Sequence, residues 1–263
     1  MSISSTWSIS SRCATTTPKR CSVRTKSRTS SCITKAKRVL CDDRKSTGRR
    51  NPPRLFSCSG PRYHSVSLNP QGTRMKRLII GISGASGAIY GVRLLQVLQQ
   101  VSEVETHLVM SPAARQTLSL ETDYTLREVQ ALADVVHDVR DIAASISSGS
   151  FKTLGMAILP CSMKTLSGIV HSYSDSLLTR AADVVLKEQR KLVLGVRETP
   201  LHIGHLRMMT TAAELGAVIM PPVPAFYHRP QSIMELVDQT VNRVVDQFDI
   251  TLPQDLFTRW NGA

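Results

Sequence analysis

The 263 residues carry 33 Lys and Arg against 20 Asp and Glu, a formal charge of +13 that would suit a nucleic-acid partner. The charge is confined, however: residues 1–74 hold 16 of the basic residues and only two acids, Asp42 and Asp43, whereas residues 75–263 hold 17 basic and 18 acidic groups. The folded part therefore has no charge reason to bind nucleic acid, and no apolar run is long enough for a membrane span or a secretory signal.

Residues 1–74 are rich in Ser, Thr and Arg, show no helical or strand period, and read as a disordered extension. Five of the six cysteines (Cys13, Cys21, Cys32, Cys41 and Cys58) lie there without CxxC spacing for zinc. Three readings stay open: an upstream reading-frame artefact before a start at Met75, a mitochondrial presequence, or a nucleic-acid arm. Residues 75–263 are expected to form one domain, cytoplasmic unless the extension is a real presequence.

From Met75 the pattern is regular. "KRLIIGI" predicts a buried strand, followed by a knot of small residues (Gly81, Ser83, Gly84, Ala85, Ser86, Gly87) and a helix over 88–100. "VETHLVM" (104–110) predicts a second strand, after which Ser111 can cap a helix with Pro112 at its first position. A helix over 126–134, a strand over 154–162 and a helix over 176–189 follow. Residues 191–200 read as a strand and a loop. Residues 206–220 read as a helix, a stop at Gly216 and a short strand, and 232–248 as a long closing helix. Strands alternating with helices imply a single three-layer α/β domain, a mostly parallel sheet covered on both faces.

Ligands in such sheets bind beyond the carboxyl ends of the strands, here 81–87, 110–115, 160–165 and 197–199. All four stretches are polar or small. A strand, glycine turn and helix usually place a phosphate on the helix N-terminus. The turn is not the dinucleotide GxGxxG, since Ser83 stands where a glycine is needed; nor is it a Walker A loop or a GxSxG elbow. Small hydroxyl residues in such a turn suit a mononucleotide phosphate or a flat ring lying on the backbone.

Five stretches in series, "GISGASGAIYGVRLL", "SSGSF", "LPCSMKTLSGIVHSYSDSLLTRAADVVLKE", "LVLGVRETPLH" and "PPVPAFYHRPQS", resemble the UbiX-type flavin prenyltransferases across essentially all of 75–263. The resemblance implies an enzyme that attaches a dimethylallyl group from dimethylallyl phosphate to N5 and C6 of reduced FMN. Its product, prenylated FMN, would serve a UbiD-type decarboxylase, classically in ubiquinone synthesis. By motif match, Gly84, Ala85, Ser86, Ser111, Ser162, Met163, Lys164, Thr165 and Arg197 would contact FMN. Lys187, Arg197, Tyr227 and Arg243 would bind the donor, with Glu198 beside them, and Ser86, Glu121 and Glu198 are the catalytic candidates. The resemblance also implies a flavodoxin-like (Rossmann-like) α/β fold and a homo-oligomer, usually a dodecamer, with sites completed by neighbouring subunits.

The residue types suit that chemistry. Ionising an allylic C–O bond leaves a cation and a phosphate, and without a DDxxD magnesium motif the phosphate would be neutralised by Lys187, Arg197 and Arg243, with Tyr227 donating a further bond. Transfer is thus expected to need no metal. Plainer readings stand beside these. Lys187 could offset a helix dipole, Arg243 could be a surface residue, Glu121 could pair with Arg115 or Arg127, and Tyr227 could pack a loop. Cys161 reads as a small buried residue and Met208–Met209 as core. His202 and His205 lack a third metal ligand nearby. Two alternatives remain open: an FMN-dependent decarboxylase of the cysteine decarboxylase group, and a non-enzymatic FMN carrier.

Overall fold

The computed structural model describes residues 75–260 and 262; the readings offered for residues 1–74 lie outside the described residues. Six strands form one all-parallel sheet in the order β3-β2-β1-β4-β5-β6, with β1 at Lys76–Ile82, β2 at Val104–Met110, β3 at Val135–His137, β4 at Gly155–Cys161, β5 at Lys191–Val196 and β6 at Ala217–Ile219. That order reverses between β1 and β4, as in doubly wound dinucleotide folds, and the crevice above such a reversal is where ligands sit.

The central strands are apolar along their whole length because both faces are covered. Leu78, Ile80 and Ile82 of β1 pack with α1 (Ala88–Leu98) and α7 (Ile233–Asp246) in one core. Ile79 points into the other, with α4 (Met163–Val170), α5 (Leu177–Lys187) and α6 (Ile203–Glu214). Fully burying a Leu or Ile contributes about 1.5–3 kcal/mol, so β1 alone anchors both layers. Gly81, on the second face, leaves room for Leu178: a Cβ there would lie 2.7 Å from its Cδ1.

Helix α2 (Pro112–Glu121) begins as its sequence implies, with Ser111 accepting from the Ala114 N–H at 3.0 Å and Pro112 at the first position. Several elements differ from the sequence reading. The predicted helix over 126–134 is shorter, α3 at Leu126–Ala131, and it gives way to the three-residue β3. Helix α4 follows directly on β4, where no element was expected between the strand over 154–162 and the helix over 176–189; its Gly168 and Ser167 obscure a helical pattern. The closing helix ends at Asp246 rather than 248.

Candidate functional site

Helices α2, α4 and α5 start at the carboxyl edge of the sheet, and each start is capped by a serine: Ser111, Ser162 and Ser176. All three serines line one cavity of about 930 Å³, together with Gly84 from the turn after β1 and Thr165 and Thr179 from the helix starts. Three helix N-termini aimed at one space, floored by small residues, form an anion-binding cradle. Gly84 is required there by close approach: a Cβ would fall 2.3 Å from that of Ala113. The mouth is polar, with Lys164 reaching Asp175 at 3.8 Å.

The turn itself holds a surprise. Gly87 is the N-cap of α1 at φ 101°, a left-handed conformation that favours glycine, and no side chain of the turn caps the helix. Glu121, from the end of α2, does so: its Oε2 accepts from the N–H groups of Gly87 at 2.7 Å and Ala88 at 3.3 Å. Burial pushes the Glu121 carboxyl up, but hydrogen bonds from the Ser86 hydroxyl and the two N–H groups, with the charge of Arg197, outweigh it and hold it below its usual range. The alternative pairing with Arg115 or Arg127 is not the arrangement seen. The expectation of a ligand phosphate on this helix end is therefore corrected, since a carboxylate already satisfies its first N–H groups. The helix starts that border the cavity are those of α2, α4 and α5, each with its serine cap.

Gly84, Ser111, Ser162, Lys164 and Thr165 thus meet at the cavity, and Ser86, Glu121 and Arg197 form a second knot beside it. Ala85 is buried in the turn and Met163 opens α4. Arg197 follows β5, its N–H bonded to the Cys161 carbonyl at 3.0 Å; next to it Glu198 is exposed and accepts from the Thr199 N–H.

The remaining cations are not brought to this place within one chain. Helix α5 runs away from the cavity, so Lys187 lies about 16 Å from the helix start, toward the amino edge of the sheet. There its Nζ contacts Glu188 at 2.5 Å, against the backbone of Gly149. Arg243, on α7, pairs with Asp246 at 3.2 Å; Asp246 also takes both Nη atoms of Arg259. Tyr227 sits over the same helix, its hydroxyl 3.5 Å from Gln239 Nε2 and its ring edge-on to His228, Phe257 and Trp260. Gln239 and Arg243 are one turn apart, so Tyr227 and Arg243 share a flank. None of Lys187, Arg197 and Arg243 lines the cavity.

Other candidates resolve into structure. Cys161 is wholly buried and its thiol is pushed up to about 12 by desolvation, the opposite of an activated nucleophile. His202 caps α6 by accepting from the Gly204 N–H at 3.0 Å, and its ring lies on that of His205. Among the described residues no group of three or more His, Cys, Asp or Glu is placed to hold a metal, and no helix is long and apolar enough to cross a membrane. Sequence reasoning missed Ser176 and Thr179; a serine three residues ahead of a threonine, before an apolar run, was the available signal.

A family model described as Flavoprotein matches residues 66–245. Flavin prenyltransferase UbiX of Escherichia coli (strain K12) is 82% identical over 189 residues, 72% of this chain and 100% of that protein. Flavin prenyltransferase UbiX of Thauera aromatica is 57% identical over 186 residues, 71% and 94% of the two chains. A crystal structure of AnUbiX (PadA1) in complex with FMN and dimethylallyl pyrophosphate is 50% identical with a TM-score of 0.69, over 72% of this chain and 100% of the other. A dodecameric FMN-dependent Ubix-like decarboxylase from Escherichia coli O157:H7 is 52% identical with a TM-score of 0.68, over 71% and 100%. With serine-capped helix ends at the reversal of a parallel sheet and this level of identity, the chain belongs to the UbiX family of flavin prenyltransferases.

Proposed function

We propose that residues 75–263 transfer a dimethylallyl group from dimethylallyl phosphate to N5 and C6 of reduced FMN, yielding prenylated FMN for a UbiD-type decarboxylase. The observation that carries this is the convergence of the α2, α4 and α5 starts with Gly84 of the turn after β1 on one cavity. That cavity suits FMN. The first turns of α2 and α4, with the Ser111, Ser162 and Thr165 hydroxyls, match a phosphate dianion and a polar ribityl chain, and Gly84 lets α2 pack close enough to bring Ser111 to the same wall. Reduced FMN, when bound, supplies the electron-rich ring that accepts the allyl group.

In this reading Gly84, Ala85, Ser86, Ser111, Ser162, Met163, Lys164, Thr165 and Arg197 hold the flavin nucleotide. Glu121, kept ionised by Ser86 and two backbone N–H groups, is placed to take a proton through Ser86. The donor phosphate is bound by Arg197 and by Lys187, Tyr227 and Arg243, with Glu198 alongside. Since one chain keeps Lys187 and the Tyr227–Arg243 flank away from the cavity, neighbouring subunits deliver them in a homo-oligomer, a dodecamer by likeness to the relative described as dodecameric. Exposed apolar side chains suit such packing, including Ile203, Phe226, Ile233 and Trp260.

The test is anaerobic incubation of the full chain with reduced FMN and dimethylallyl phosphate in EDTA, with dimethylallyl pyrophosphate in a parallel arm. A flavin heavier by one C5H8 unit is expected. Unmodified FMN at full occupancy with both donors would overturn the transferase reading in favour of a carrier.

A further inference from the structure

The β1–β4 ladder runs from Leu78↔Gly155 to Gly81↔Ile158 and stops, two residues short of the cavity. Pro160 has no N–H to continue it, and the β4–β5 register shifts between Ile158 and Cys161. Ser83 takes over at that point. Its hydroxyl donates to the Pro160 carbonyl at 2.9 Å and accepts from the Ser162 N–H at 2.7 Å, while its own N–H donates to Pro160 at 3.2 Å. The residue is 0% exposed, so water cannot substitute for any of these bonds.

We propose that Ser83 is a positioning residue. Its hydroxyl fastens the end of β1 to the end of β4 and so fixes the spacing between the Gly84–Ser86 backbone and the Ser162–Thr165 turn, the two walls on which the flavin nucleotide lies. The proposal rests on the cavity being the FMN site. In a dinucleotide fingerprint a glycine stands at this place and lets the backbone approach a pyrophosphate; here a hydroxyl joins the two strand ends instead. Removing the hydroxyl leaves Pro160 with one donor but strips the Ser162 N–H of its only acceptor among the described residues, immediately ahead of α4. The strain therefore falls on the Ser162 wall of the cavity and not on the strands, whose ladder ends two residues earlier.

The experiment compares wild type, Ser83→Ala and Ser83→Thr for FMN affinity, the visible circular dichroism of bound FMN, assembly mass and unfolding midpoint. The alanine variant should bind FMN about tenfold or more weakly, with a spectrum moved toward free FMN and an unchanged assembly mass, and threonine, which keeps the hydroxyl, should return to within about threefold of wild type. Wild-type affinity and spectrum in Ser83→Ala would overturn the proposal, and so would equal losses in alanine and threonine variants, which point to packing alone. Should the alanine chain not fold, Ser83→Cys carries the test, because a thiol fills the space yet bonds weakly; FMN binding there at wild-type strength overturns the idea. A wild type that fails to prenylate FMN while this pattern holds refutes the transferase reading and leaves the positioning role standing.

Discussion

The serine-lined cradle is built from consecutive strand ends of one chain, whereas Lys187, Tyr227 and Arg243 stand on helix flanks, where Lys187 and Arg243 are already engaged by neighbouring carboxylates. The first region needs only the fold: a parallel sheet delivers its strand ends to one edge, and serine caps follow because each helix start lacks partners for its N–H groups. The second region follows the opposite logic. Helices that return antiparallel to the strands carry their last turns away from that edge, so cations placed late on α5 and α7 cannot reach the cavity of their own chain. On the proposed function, the flavin side is then intramolecular and the donor side a property of assembly.

The sharpest way to break this contrast is subunit mixing. Lys187→Ala and Glu121→Gln chains should each lose about 100-fold or more in prenylation as pure assemblies, the loss of a charge contact or of a proton acceptor. Co-assembled at equal amounts, they should regain roughly a quarter of the wild-type sites, because a Lys187→Ala chain keeps its own Glu121 and borrows a neighbour's lysine. Recovery no greater than the sum of the pure variants would mean that each chain uses its own Lys187. FMN titration of the Lys187→Ala assembly should meanwhile match wild type.

A milder test concerns Glu121 as a cap. Its folded carboxyl titrates below the ordinary value of 4.5, so the stabilisation it gives α1 is complete above that pH and disappears as acid passes through the folded value. Glu121→Gln should cost about 1 kcal/mol at pH 7, the usual worth of a helix cap, and chemical denaturation measures it.

A histidine pair joins β2 and β3, His107 buried and His137 half-buried. Desolvation first, then the neighbouring His107, lower the His137 imidazole to about 4 against an ordinary 6.5, with Asp141 opposing. His107 Nδ1 is 3.0 Å from His137 Nε2, and its other nitrogen meets Glu105, which Arg77 also holds. Below pH 6.5 the unfolded chain takes up a proton that folded His137 refuses until about pH 4, so stability falls with acid across that window. After allowance for partial solvent access the loss should be about 1–2 kcal/mol, and His137→Asn should flatten the dependence of the unfolding midpoint on pH. A midpoint unchanged between pH 7 and 4.5 would contradict it.

The smallest effect belongs to Cys161. With its thiol near 12 and no exposure, native protein should resist iodoacetamide, and Cys161→Ala should keep prenylation within about twofold. Rapid alkylation with loss of activity would place the thiol in the site after all.

Much of this organisation was legible in the residues. Continuous apolar runs gave the buried strands, the Ser111–Pro112 pair gave the start of α2, and small residues after each strand marked the cavity edge. Hidden elements share a cause, in that they depend on partners distant in sequence. Three residues at Val135–His137 form a strand only because β2 offers a ladder, and α4 carries a glycine that local propensity counts against. The cap on α1 lies 34 positions away, and Ser83 finds Ser162 at a separation of 79. The segregation of Lys187 from the cavity follows from helix direction, which no motif match encodes.

The remote cap on α1 also bears on the order in which the chain organises. A helix without a local N-terminal partner gains nothing from its own turn and must wait for α2 to dock, so the two helices should form as one cooperative unit. The amides of Gly87 and Ala88 then become reporters: their hydrogen exchange tracks the opening of α2, not the fraying of the helix they begin.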